Sequence, residues 1–284
     1  AVFGLLVRLI AGPFGPFEAH WTPVFQTVAL LTMFWGNIAA LAQKNIKRLM
    51  GYSSIAHAGY LAIGLAAWGE MARWAIAFYV IVYVVMNAAA FSLAMLVRRN
   101  GTFGENVDDL AGLVRRSPLG AAAILVLLLS LTGIPPTAGF MGKYFLFAAA
   151  VGKGMPLLAV AGAVNSVISL FYYFRIGKAV FLDEGPSGAP AETASGPLLV
   201  LAGAALALLA LGVAPSLLAS LAVAAGFGAA GVLVNRTGLD AIDRMERQID
   251  QCEHARAEGG EAGEDADGVS HDPLRVRGAP RPVT

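Results

Sequence analysis

The chain has 284 residues, of which 57% are hydrophobic and 14% charged, with one cysteine and a formal net charge of +1. Soluble domains carry about 25% charged residues, so a soluble globular enzyme is excluded, and the single Cys252 excludes a disulfide-stapled fold. A near-neutral chain with no basic stripe and no zinc-ligand spacing also excludes a nucleic-acid binder.

The few charges are unevenly placed. Of residues 1–234, 21 are charged, about 9%; of residues 235–284, 18 are charged, about 36%. A bilayer-embedded helix bundle over 1–234 and a solvated tail over 235–284 are therefore expected. The opening AVFGLLVRLI has neither a basic n-region nor a cleavage pattern, and it reads as a chain that starts inside a transmembrane helix.

A helix needs about 20 apolar residues to cross a hydrocarbon core of about 30 Å. By that measure a partial span is expected at 1–11, followed by spans near 23–43, 49–68, 74–97, 119–150, 156–182 and 197–214. The Ala- and Gly-rich run 216–234 is long enough for a further span, and the preferred reading is a continuation lying along the surface. The loops around 44–48, 98–118 and 175–178 hold nine Lys and Arg residues, against Arg73 and Lys153 on the other face. This bias puts the basic loops in the cytoplasm. Within 98–118, Val107, Leu110 and Val114 recur at helical spacing and fit an interfacial amphipathic turn; the alternative is an ordinary solvated connector. Trp21, Trp35, Trp68 and Trp74 are expected at the ends of spans, as belt residues. In the tail, Ile242, Met245, Ile249 and Cys252 fall at 3-4-3 spacing and predict a short helix; from 257 on, the composition predicts disorder.

No Asp or Glu lies inside a predicted span; with Arg175 and Lys178 assigned to the basic end of the 156–182 span, Lys143, His57 and Arg8 are the remaining Lys, Arg and His side chains there. Such residues face a bundle interior or a water-filled path, because lipid exposure of a charge is costly. The stretch Gly133-Ile134-Pro135-Pro136-Thr137-Ala138-Gly139 should break its helix near mid-membrane. Irregular backbone survives at that depth only where protein or cavity water satisfies it. A broken helix followed within two turns by Lys143 is the arrangement of a transporter ion site, and reversible protonation of the lysine is the chemistry it points to. The alternative is a lysine snorkelling to a headgroup. His57, in GYSSIAHAGYLAIG, shares a helix face with Ser53, Tyr60 and Gly64 and is a candidate proton relay; its alternative is a packing histidine. Tyr79, Tyr83 and Asn87 form a similar line, as do Asn165, Ser169 and Tyr172, suited to bridging helices or holding water. Arg8 reads as an interface anchor.

The runs GNIAALAQKNIKRLMGYSSIAHAGYLAIG and LSLTGIPPTAGFMGKYFLFAAAVG resemble the antiporter-like membrane subunits of proton-pumping NADH-quinone oxidoreductase (respiratory complex I), subunit N above all, over roughly residues 1–225. The lysine at position 143, where subunit M usually has glutamate, favours N. Mrp-type sodium/proton antiporter subunits share the break and the lysine but usually lack the histidine. The resemblance implies an all-α polytopic bundle of fourteen helices built from two inverted five-helix repeats, of which this chain would hold the second, with its broken helix near 133–139. It implies a non-redox, proton-translocating subunit, coupled to quinone reduction elsewhere in the complex. Lys143 then matches the broken-helix lysine and His57 the central-axis histidine, with Ser53 and Ser54 the adjacent hydroxyls. No cofactor is implied in this chain; NADH, FMN, iron–sulfur clusters and quinone belong to other subunits. The partners implied are a subunit M-like neighbour, small membrane-arm subunits and the lipid bilayer, in a bacterial inner membrane. The rival readings are an Mrp-like antiporter subunit and a fragment that only packs in the membrane arm.

Overall fold

The computed structural model describes residues 2–99, 102–184 and 192–216. The chain divides into two units, Ala1–Leu239 and Asp240–Thr284, and every element below belongs to the first. The expectations for the run after Ser216, for the 242–252 stripe and for the tail from 257 fall outside the described residues.

The protein is an all-α polytopic bundle. Its helices are α1 (Val2–Ala11), α2 (Glu18–Leu41), α3 (Ile46–Ala66), α4 (Glu70–Ala94), the short α5 (Leu113–Arg116), α6 (Pro118–Thr132), α7 (Ala138–Gly152), α8 (Pro156–Phe181) and α9 (Ser195–Val213). With its preceding 3-10 turn, α2 is long and apolar enough to cross a membrane, and so are α4, α8 and α9. At 1.5 Å per residue, the 21 residues of α3 also reach about 30 Å. The span expected over 119–150 is two helices of 15 residues each, separated at the predicted break.

Local sequence sets the helix ends. The Asn45 side chain accepts the Arg48 N–H and caps α3. Pro118 opens α6 at its first turn, where its missing N–H is no loss, and Ser117 accepts the Gly120 N–H. Gly133 closes α6 with φ of +87°, a left-handed conformation that glycine adopts without a Cβ penalty.

Helices α2 and α3 meet backbone to backbone. A Cβ on Gly36 would fall 2.6 Å from the Ala56 N, and one on Gly59 would fall 2.8 Å from the Met33 N. Small residues at such crossings allow the close approach that drives packing where lipid supplies no hydrophobic contrast. Helix α9 touches the break itself: a Cβ on Gly212 would fall 2.1 Å from the Pro136 carbonyl oxygen.

The basic loops gather at one end of the bundle. The Ile46 N–H donates to the Glu105 carbonyl at 2.7 Å and the Val107 N–H to that of Lys44 at 3.1 Å. The Gly112 N–H donates to the Ala179 carbonyl at 3.1 Å, and Arg175 donates to the Leu41 and Gln43 carbonyls at the end of α2. Three very short antiparallel strands, β1 (Val97–Arg99), β2 (Thr102–Phe103) and β3 (Glu192–Thr193), join in the order β2-β1-β3 beside these contacts. The Val107 and Leu110 side chains are buried and Val114 is half-buried, so the first two members of this stripe pack into the bundle and do not face a lipid interface or solvent as expected. At the opposite end Lys153 pairs with Glu18 at 3.0 Å, Trp21 meets Trp68 edge-on at 6.4 Å, and the Arg73 guanidinium stands 6.0 Å from the Trp68 ring. Loops therefore alternate between ends, as the spans require. Trp21 and Trp68 stand at helix ends, the position expected of them. Trp35 instead lies along α2, 70% exposed, and Trp74 is buried against Phe145, 4.4 Å between ring centroids.

Gly36→Ala places a methyl against backbone that cannot yield; overpacking of this kind costs about 1–3 kcal/mol, and the unfolding midpoint of the protein in lipid nanodiscs should fall accordingly. At the basic end, the hydrogen bond and charge of Lys47, with Asn45 beside it, hold the Glu105 carboxyl below the usual carboxylate range. A lowered folded-state value means that the pair's contribution is present at neutral pH and is lost on acidification. Glu105→Gln should therefore speed amide exchange at Ile46 and Val107 near pH 7, and its difference from the native protein should vanish in acid.

Candidate functional site

The break between α6 and α7 creates a concentration of unpaired polar backbone. The last carbonyls of a helix have no intrahelical partners and carry its negative end. Thr137, Gly139 and Ser130 settle the start of α7: the Thr137 carbonyl accepts the Phe140 and Met141 N–H groups, and the Gly139 N–H donates to the Ser130 Oγ at 3.1 Å. The approach is close enough that a Cβ on Gly139 would fall 1.9 Å from the Ser130 carbonyl oxygen.

Lys143 settles the end of α6. From the second turn of α7 its Nζ donates to the Leu131 carbonyl at 3.0 Å and the Thr132 carbonyl at 2.8 Å. A third bond, at 3.1 Å, reaches the Ser166 Oγ on α8. The Tyr60 ring of α3 lies with its centroid 4.5 Å from Nζ, within cation–π range. The lysine is only 3% exposed, so it turns inward and does not snorkel. Its partners are neutral oxygens and a π face, a set that accommodates both the ammonium and the free amine.

Tyr60 also joins the lysine to the histidine. Its hydroxyl accepts a hydrogen bond from the Ser166 Oγ at 3.3 Å, and its ring meets the His57 ring edge-on at 5.7 Å. His57 is buried and shares a 2.7 Å hydrogen bond between Nδ1 and the Tyr79 hydroxyl. Tyr83 stacks on the imidazole at 5.1 Å. The Tyr79–Tyr83 line on α4 thus serves the histidine directly.

Ser53 shares the helix face of His57 but serves another neighbour, the Tyr173 hydroxyl of α8. Next to it, Ser54 bonds back to the Met50 carbonyl of its own helix at 2.9 Å. From Tyr173 a second buried polar group continues. The Tyr172 and Tyr173 rings stand 4.4 Å apart, the Tyr172 hydroxyl donates to the Asn37 Oδ1 at 2.9 Å, and the Asn37 Nδ2 donates to the Asn165 Oδ1 at 2.9 Å. The structure therefore brings Lys143, Tyr60 and His57 into one cluster. It sets Ser53 in the adjoining one and turns Ser54 onto its own backbone. Arg8 is exposed in the last turn of α1, apart from both.

Sequence reasoning missed Asn37, Ser166, Tyr173 and the two carbonyls of α6. Asn37 had a signal as a lone amide in the apolar run FWGNIAAL, and Ser166 adjoins the noted Asn165. The carbonyls have no side-chain signature beyond the break that frees them.

The sequence profile of the family described as "NADH:quinone oxidoreductase/Mrp antiporter, TM" matches residues 1–169. The chain belongs to that family. Among curated members, the NADH-quinone oxidoreductase subunit N 2 of Solibacter usitatus is 43% identical over 216 residues, 76% of this chain and 44% of the relative. The subunit N of Paramagnetospirillum magneticum is 38% identical over 234 residues, 81% of this chain and 48% of the relative. The chain thus spans about half the length of the curated family members it matches. A chain of respiratory complex I from Thermus thermophilus superposes with a TM-score of 0.58 at 37% identity, over 69% of this chain and 44% of that one. A chain of the Mrp complex from Dietzia sp. DQ12-45-1b gives 0.68 at 20% identity, over 83% and 50%, and so shares the family fold.

Gly133 tests how tightly the break and the lysine are coupled. A Cβ there would stand 2.9 Å from the Lys143 Cδ, on a residue already at positive φ. Gly133→Ala should destabilise the protein by about 1–2 kcal/mol from backbone conformation alone, and by more as Lys143 is pushed from the carbonyls. Chemical unfolding of both proteins in the same detergent measures the difference.

Proposed function

We propose that this chain is part of subunit N of a proton-translocating NADH-quinone oxidoreductase, and that Lys143 and His57 are its proton-carrying groups. The observation that carries the reading is the Lys143 ammonium bound by the Leu131 and Thr132 carbonyls at a helix break. A lysine held by neutral oxygens alone can gain and lose a proton without breaking an ion pair, so charge arriving nearby shifts its occupancy. Tyr60 and Ser166 connect it to His57, whose imidazole can donate or accept a proton at either ring nitrogen and already shares a hydrogen bond with the Tyr79 hydroxyl. Ser53 and Ser54 are the adjacent hydroxyls, Ser53 through Tyr173 and Ser54 with the weaker claim.

In this reading the chain performs no redox step. NADH, FMN, iron–sulfur clusters and quinone act in other subunits, and the energy of quinone reduction reaches Lys143 as a change of charge in a neighbouring subunit M-like protein. The described helices supply the second of two inverted five-helix repeats, embedded in a bacterial inner membrane beside small membrane-arm subunits, with the basic loops cytoplasmic. The 38–43% identity to proteins named subunit N supports the quinone-linked reading over an Mrp-like antiporter, for which the likeness is one of fold at 20% identity.

Lys143→Ala in the intact membrane complex should lower proton pumping by inverted vesicles at least about ten-fold, the cost of removing an essential relay group, and should slow coupled NADH:quinone reduction with it. Unchanged pumping and quinone reduction would overturn the assignment. Sodium/proton exchange that survives loss of NADH-driven pumping would favour the antiporter reading, and an effect on assembly alone would favour a packing role.

A further inference from the structure

At the basic end of the bundle, the α2–α3 corner holds a cavity of about 590 Å³ lined by Gln43, Arg48, Gly51, Tyr52 and Ile55. Four of these residues fall on α3 at positions 48, 51, 52 and 55, the i, i+3, i+4, i+7 spacing of one helix face. Arg48 is in the first turn of α3, and Ile55 lies about 10 Å further along the helix axis. The lining therefore runs from a cation at the membrane surface, through the half-buried amide of Gln43 and the phenol of Tyr52, to an exposed apolar side chain. Gly51 leaves the middle open, since a Cβ there would meet nothing within 4 Å.

That order of groups matches one class of ligand. A cationic guanidinium at the surface pairs with a phosphate and adds paired N–H donors to its charge. The Tyr52 phenol, and the second N–H of the Gln43 amide whose Nε2 already donates to the Ala39 carbonyl at 3.1 Å, suit ester oxygens at the headgroup level, where tyrosine concentrates, and an apolar floor takes an acyl chain. The nearby charges are Lys44, Lys47 and Arg48 against the single carboxylate of Glu105, whose charge is felt by Arg48 but whose ion-pair partner is Lys47, leaving a net positive surround among the described residues. Lys47 is engaged with Glu105 at 2.7 Å, while the exposed Lys44 stands beside the cavity residue Gln43 in sequence. Clusters of Lys and Arg just outside the hydrocarbon core attract anionic lipid.

We propose that this cavity is a binding site for an anionic phospholipid, with the phosphate on Arg48, the ester region at Gln43 and Tyr52, and an acyl chain over Gly51 and Ile55. The site is independent of the proton-carrying cluster and does not rest on its function.

Native mass spectrometry of the full chain, taken from micelles holding equal phosphatidylglycerol and phosphatidylcholine, tests the assignment. Retained phosphatidylglycerol should exceed phosphatidylcholine, and Arg48→Gln should lower its retention about five-fold, the worth of one basic side chain at an anionic surface. Gly51→Leu should fill the open space and lower retention of both lipids, with the unfolding midpoint unchanged. Equal retention of the two lipids, or native retention by both variants, would overturn the proposal. So would displacement of phosphatidylglycerol by millimolar inorganic phosphate, which would make the site one for free anions. A photo-crosslinker at position 51 that captured a polypeptide in place of lipid in native membranes would also overturn it.

Discussion

The structure turns on the hydrogen bonds from the Lys143 ammonium to the Leu131 and Thr132 carbonyls. Interrupting a helix at membrane depth strands the carbonyls of its last turn where no bulk water can reach them, and each unsatisfied group costs several kcal/mol. A lysine has donors to spare and a stem long enough to reach back across the break. The carbonyls need the lysine as much as the lysine needs them. This mutual dependence explains why a lysine survives inside so apolar a bundle with no carboxylate among its hydrogen-bond partners in the described residues. It also makes the backbone responsive to protonation, because the free amine has fewer protons to donate than the ammonium.

The rest of the packing holds this geometry. Gly133 clears the lysine stem, Gly139 lets α7 approach Ser130, and Gly212 lets α9 close over Pro136. On the α3 side, the α2–α3 crossing at Gly36 and Gly59 fixes the helix that presents Tyr60 and His57. On the α8 side, Asn37 bonds Asn165, next in sequence to Ser166, so a buried amide pair sets the helix that delivers the third oxygen to Lys143. The glycines thus work as clearances and the amides as locks.

Much of this was legible in the sequence because a bilayer leaves few options. Apolar length gave the spans, the Gly-Ile-Pro-Pro run gave the break, and the scarcity of charge singled out Lys143 and His57. What escaped was set by geometry between helices. The face that Ser53 shares with His57 suggested one cluster, yet the two side chains turn to α8 and α4 respectively. Val107 and Leu110 have a helical spacing suited to an interface, but the 98–118 connection folds back under the bundle and buries them. Backbone acceptors such as the Leu131 carbonyl carry no residue-type signal, and only the break announces that they must find a donor.

The most direct test is a density map of the membrane complex, at a resolution that shows lysine side chains, with Lys143 in its native form. The Lys143 Nζ should lie within hydrogen-bonding distance of both the Leu131 and Thr132 carbonyls, over the Tyr60 ring. A Lys143 side chain extended to the headgroup region, or paired with a carboxylate and away from the α6 carbonyls, would contradict the account.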